Sequence, residues 1–145
     1  MRSTRTGSGV EDRVQEASGA GDEPPVPDNK VFEIFEKGSP AMTAVLASLV
    51  VMWAPLVEET IFRGALFRAV RPAWGAAGAA LLTAAMFALM HQYGLMQLIL
   101  VGTLGLAFAL MREWRGGLLP SMTAHAVHNA MVMTLVLVVI QLARG

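Results

Sequence analysis

Two adjacent acids and an arginine lie inside an apolar run of this chain, and that placement restricts the fold more than any other feature. The stretch Ala-Met-Thr-Ala-Val-Leu-Ala-Ser-Leu-Val-Val-Met-Trp-Ala-Pro from Ala41 carries no charge and leads straight into Leu56-Val57-Glu58-Glu59-Thr60-Ile61-Phe62-Arg63. Such a run predicts a membrane helix. An ionisable group at bilayer depth costs about 3 kcal/mol on insertion scales, so it normally faces a protein interior or a watery cavity and marks function. The remaining chain is then read for partners to these three side chains.

Composition agrees with a membrane fold. The 145 residues are 54% hydrophobic and 15% charged, against about 25% charged in soluble domains. Residues 1–40 hold eight of the eleven acids but five of the eleven basic residues, so the tail is acidic and the apolar part basic. No nucleic-acid partner is indicated. With no cysteine, thiol catalysis, disulfides and thiolate metal sites are excluded. Residues 1–38 are rich in Gly, Ser, Pro and acids, too polar to offset the entropy of ordering, and read as a disordered tail; 39–145 form the membrane part. Val31–Phe35 is a short amphipathic patch that suits a membrane surface. No signal peptide precedes the first apolar run, which would act as its own insertion signal.

Four apolar segments follow, giving an all-α, multi-pass transmembrane bundle of about four helices. Ser39 and Pro40 read as an N-cap and first-turn proline. The first helix runs from Ala41, is kinked at Pro55, and extends as far as Phe67. Arg68, Arg71 and Pro72 make a basic turn before a second segment, Gly75 to His91, which is expected to continue past that histidine. Gln92-Tyr93-Gly94 is a polar break. The third segment, Leu95 to Met111, carries a Gly102, Gly105, Ala109 packing stripe. Arg112 to Gly117 is a second basic turn, and the fourth segment runs from Leu118 to about Leu142. Both basic turns fall on one side, which the positive-inside rule makes cytoplasmic at the cell membrane.

Few polar groups remain inside the spans: Glu58 and Glu59, then His91, then His125, His128 and Asn129. Phe87 and His91 share a helix face, as do His125 and Asn129. Glu59 and Arg63 stand at i, i+4 with the acid on the favourable side, which makes them the natural ion pair and leaves Glu58 for other work. A carboxylate and histidines in an enclosed site suit hydrolysis: the carboxylate takes a proton from attacking water, and imidazole and amide donors hold the oxyanion. No serine stands in a recognisable nucleophile motif.

In sequence, Glu58-Glu59-x-x-x-Arg63, Phe87-x-x-x-His91 and His125-x-x-x-Asn129, in this order on separate apolar segments, resemble the three signature motifs of the CPBP family. That family includes type II CAAX-prenyl endopeptidases and bacteriocin-processing or abortive-infection proteins. The resemblance covers roughly Leu56 to Ala130. It implies a glutamic-type intramembrane endopeptidase without a metal cofactor, in which Glu58 and His91 activate the water, His125 and Asn129 hold the oxyanion, and Glu59 and Arg63 support the first helix. Its substrates would be prenylated or unmodified peptides. Members commonly carry further spans before the first motif, so this chain reads as a minimal core, a truncated gene product or one part of an assembly, and a homodimer would shield the site better than four helices alone.

Two other readings stay open. Glu58, His91, His125 and His128 are an allowed ligand set for zinc, which would make the protein a metalloprotease. A non-catalytic membrane scaffold or immunity protein would keep the fold and bind a partner.

Overall fold

The computed structural model describes residues 34, 35 and 37–144. The polar tail expected over residues 1–38 lies almost wholly outside the described residues, as do three of the five residues of the patch at 31–35. Among those described, every regular element is a helix: α1 (Pro40–Ser48), α2 (Ala54–Glu59), α3 (Phe67–Leu89), α4 (Leu95–Arg115) and α5 (Leu119–Arg144).

Ser39 caps α1, its side chain accepting from the Met42 N–H at 3.3 Å. Two π-helical turns, Leu49–Trp53 and Thr60–Leu66, join α1 to α2 and α2 to α3. These turns join Pro40–Leu89 into a single helical run, one of three long and apolar enough to cross a membrane, where about four were expected. The first is 50 residues long, roughly 75 Å if straight and over twice a hydrocarbon core. It is not straight. Gly75 adopts φ 69° and ψ 177°, which breaks the helix and which only glycine enters without strain. The chain folds back there, and Phe87 meets Phe62 edge-on with ring centroids 5.2 Å apart.

The reversal thus falls at Gly75, later than the basic turn expected at Arg68 to Pro72. Those residues are helical, Pro72 included. At its other end α3 stops at Leu89, short of His91, instead of continuing past it. Gln92 follows with φ 46°, the left-handed region, and ends the helical ladder. By contrast α4 runs one turn beyond Met111, through Arg115, and is capped by Gly116 at φ 70°.

Small side chains set the spacing of α3 against α4. Ala79, Ala80 and Ala109 are buried together with Phe67. A Cβ on Gly105 would stand 3.1 Å from the Phe87 ring and 3.3 Å from the Ala84 backbone, so only glycine allows this approach. At the far end, Arg71 Nε donates to Glu113 Oε2 at 2.7 Å and its Nη2 to Oε1. This bidentate pair brings the two basic segments to the same end of the bundle. The outward faces are apolar, with Leu95, Leu119 and Leu142 each about three-quarters exposed, as lipid-facing helices require.

Candidate active site

The site is built outward from Arg63. The π-helical turn Thr60–Leu66 carries this side chain inward, a helix irregularity often found at functional sites. Its Nη1 donates to Glu59 Oε1 at 3.0 Å, and both side chains are fully buried. Its Nη2 donates to the Gly105 carbonyl at 2.7 Å. Three rings surround the guanidinium, Phe87 at 4.5 Å, Phe108 at 5.5 Å and Phe62 at 5.8 Å from their centroids, within cation–π range. The ion pair expected from spacing alone is present, and the two acids are separated by environment: Glu59 is sealed, whereas the Glu58 side chain is 29% exposed.

His125 joins these acids from α5. Its Nδ1 lies 3.1 Å from Glu59 Oε1 and its Nε2 lies 3.6 Å from Glu58 Oε2. A carboxylate already paired with arginine accepts, so Nδ1 is the donor in this contact, and Nε2 is turned towards Glu58. The ring stacks on Phe108, with centroids 4.9 Å apart and planes inclined by 21°, and meets the edge of Phe87 at 5.7 Å. The imidazole is fixed by stacking on one face, by an edge contact and at one nitrogen.

His91 is held differently. Its Nδ1 lies 2.8 Å from the Phe87 carbonyl, an acceptor only, so Nδ1 is the donor and Nε2 is left for other partners. Phe87 at 4.7 Å and Tyr93 at 5.7 Å pack against the ring. The left-handed backbone at Gln92 turns Tyr93 back onto it. Among the described residues His91 makes no direct hydrogen bond to Glu58 or His125. Phe87 is nevertheless common to both histidines and to Arg63, so the three motifs meet around one buried ring.

Asn129, one turn beyond His125, donates through Nδ2 to the Val50 carbonyl at 2.9 Å. The reason lies in the kinked first helix. The Ala54 N–H reaches five residues back to Leu49, so the next donor in that register, the one for Val50, falls on Pro55. Proline has no N–H. Asn129 supplies the missing bond to a carbonyl that would otherwise lack a partner in apolar surroundings.

His128 takes no part in these bonds. Among the described residues, no three of the His, Asp and Glu side chains are grouped to hold a metal ion. Spacing identified Glu59, Arg63 and Phe87. It missed Phe108, Tyr93 and the Gly105 carbonyl, because stacking and backbone acceptance leave no mark at fixed spacing, and Gly105 had been read only as part of a packing stripe.

A family model described as type II CAAX prenyl endopeptidase Rce1-like matches residues 40–131, more than half of the chain. The chain belongs to the Rce1-like family. The matched stretch contains every side chain of the cluster, from Glu58 to Asn129. At family level this makes the protein an intramembrane CAAX-type endopeptidase, and its apolar helices make it a multi-pass membrane protein. Neither a curated protein nor a solved structure matches the chain.

Proposed function

We propose that this Rce1-like chain hydrolyses a peptide bond near the membrane surface with water activated by Glu58, and that its substrate is a prenylated or unmodified peptide. The observation that carries this reading is the contrast between the two acids. Glu59 is buried and committed to Arg63 and His125, whereas Glu58 is partly open and faces the second nitrogen of the same imidazole.

In the proposed reaction Glu58 takes a proton from water as its oxygen attacks the scissile carbonyl carbon. His91, through Nε2, shares in orienting that water. The negative charge that develops on the carbonyl oxygen is met by a proton on His125 Nε2, the nitrogen not given to Glu59, and by the amide N–H of Asn129 not given to Val50. The C–N bond then breaks, and the proton held by Glu58 passes to the leaving amine. Glu59 and Arg63 keep His125 in place. The basic end of the bundle is assigned to the cytoplasmic side of the cell membrane. A cysteine introduced at Gly117 of this cysteine-free chain, where an added Cβ meets nothing within 4 Å, should be labelled from that side only, and labelling from the other side would reverse the assignment.

The test is cleavage of membrane-tethered peptides, prenylated and not, by purified wild type and Glu58→Gln, with and without a chelator. Glu58→Gln should lose about 10²–10⁴-fold in rate while keeping the wild-type melting temperature. Retained activity would sink the proposal, and inhibition by chelator would assign the histidines to a metal instead.

A further inference from the structure

The basic end of the bundle holds more positive charge than its own acid can balance. Both donor groups of Arg71 go to the carboxylate of Glu113, the only acid among the described residues of this end. Arg68 lies one turn before Arg71 on α3, and Arg112 and Arg115 flank Glu113 on α4. None of these three makes an ion pair among the described residues, and Arg112 Nε is shielded from solvent with no acceptor. The turn at the other end of α3, His91 to Gly94, contains no Lys, Arg, Asp or Glu. Of the two turns that join the long helices to each other, only the one at this end is flanked by charge.

Two tryptophans share that end. Trp74 is 63% exposed and Trp114 82% exposed, and the Arg115 guanidinium lies 5.5 Å from the Trp114 ring. Exposed indoles at the tips of apolar helices sit where hydrocarbon gives way to headgroups. A soluble acidic partner would match the arginines but leave both indoles unexplained. A phosphate-bearing headgroup with acyl chains below it matches both.

We infer that this end is a binding surface for anionic phospholipids, with Arg68, Arg112 and Arg115 meeting the headgroup charge and Trp74 and Trp114 fixing the depth. The Arg71–Glu113 pair shows that the two helix ends meet, so that the remaining arginines act on one lipid layer. The attraction does not depend on the peptidase reading, because none of these residues belongs to the cluster around Glu58.

The experiment uses the full chain carrying Trp53→Phe, so that Trp74 and Trp114 are its only indoles. It is reconstituted in bilayers mixing phosphatidylcholine and phosphatidylglycerol, one of which has chains brominated near the headgroup to quench nearby tryptophan. Quenching should show a preference for phosphatidylglycerol of about fivefold at low salt, the order expected of one basic side chain near an anionic surface. The preference should fall in Arg68→Gln/Arg115→Gln, which leaves only Arg112, and should fall towards one at high salt. Equal quenching by both lipids in the Trp53→Phe protein would overturn the inference. So would a preference that survives the double substitution undiminished, because the attraction would then lie elsewhere. Circular dichroism of both proteins, expected to coincide, separates lost binding from lost structure.

Discussion

The molecule contains two arginine–glutamate pairs of the same chemistry in opposite surroundings. Glu59 and Arg63 sit one turn apart on one helix, with no exposed surface and three aromatic rings around the guanidinium. Arg71 and Glu113 come from different helices, pair through two hydrogen bonds, and have side chains 51% and 31% exposed. The exposed pair has the better fork geometry, yet the buried one should matter far more to the structure. Water can replace either partner of an exposed pair, whereas a buried charge left alone has nothing to replace what it lost. Burial, and not the quality of the hydrogen bonds, decides what a pair is worth when it is broken.

The sharpest way to break this contrast is Arg63→Met, which strands Glu59 among aromatic rings. It should destabilise the protein by about 3–5 kcal/mol, read as a lower midpoint of denaturation in detergent, and Glu59→Leu added to it should recover most of the loss. If Arg63→Met costs no more than the same change at Arg71, the contrast is wrong. A smaller effect is expected from Gly105→Ala, whose Cβ would crowd the Phe87 ring and stand 3.3 Å from Arg63 Nη2. Overpacking of this kind costs about 1–3 kcal/mol. Because it presses on the aromatic ring shared by both histidines, activity should fall by more than stability alone accounts for. Smallest of all is Arg71→Met, which should leave the melting temperature unchanged at high salt and lower it only slightly at low salt. A large loss there would mean that the helix ends are held mainly by that clasp.

How much of this could be read from the sequence depends on the range of the interaction. The Glu59–Arg63 pair and the shared face of Phe87 and His91 follow from helical spacing, and the apolar runs announce the spans. Ser39 and Pro40 mark the start of α1 where capping chemistry puts it. The reversal at Gly75 was half legible: the second segment was expected to begin there, but arginines and Pro72 suggested a turn that the structure makes helical. The π-helical turns were not legible: the first stands beside Pro55, but no residue type in Thr60–Leu66 marks the second. Nor was the stop at Leu89, because a left-handed glutamine has no sequence signal as clear as a glycine. The seating of His125 between Glu58 and Glu59 needed the third dimension, for it depends on Phe108 and Phe87 arriving from α4 and α3.

The bond from Asn129 to the carbonyl of Val50 also has a genetic meaning. Asn129 is useful at that carbonyl only while position 55 lacks an N–H, and Pro55 is tolerable only while a side chain from α5 answers for it. Replacing Pro55 with alanine would return a backbone donor to Val50 and set the asparagine amide loose, so the substitution that looks like a repair would displace a group from the site. Mutations at these two distant positions should therefore be epistatic, each changing what the other can accept.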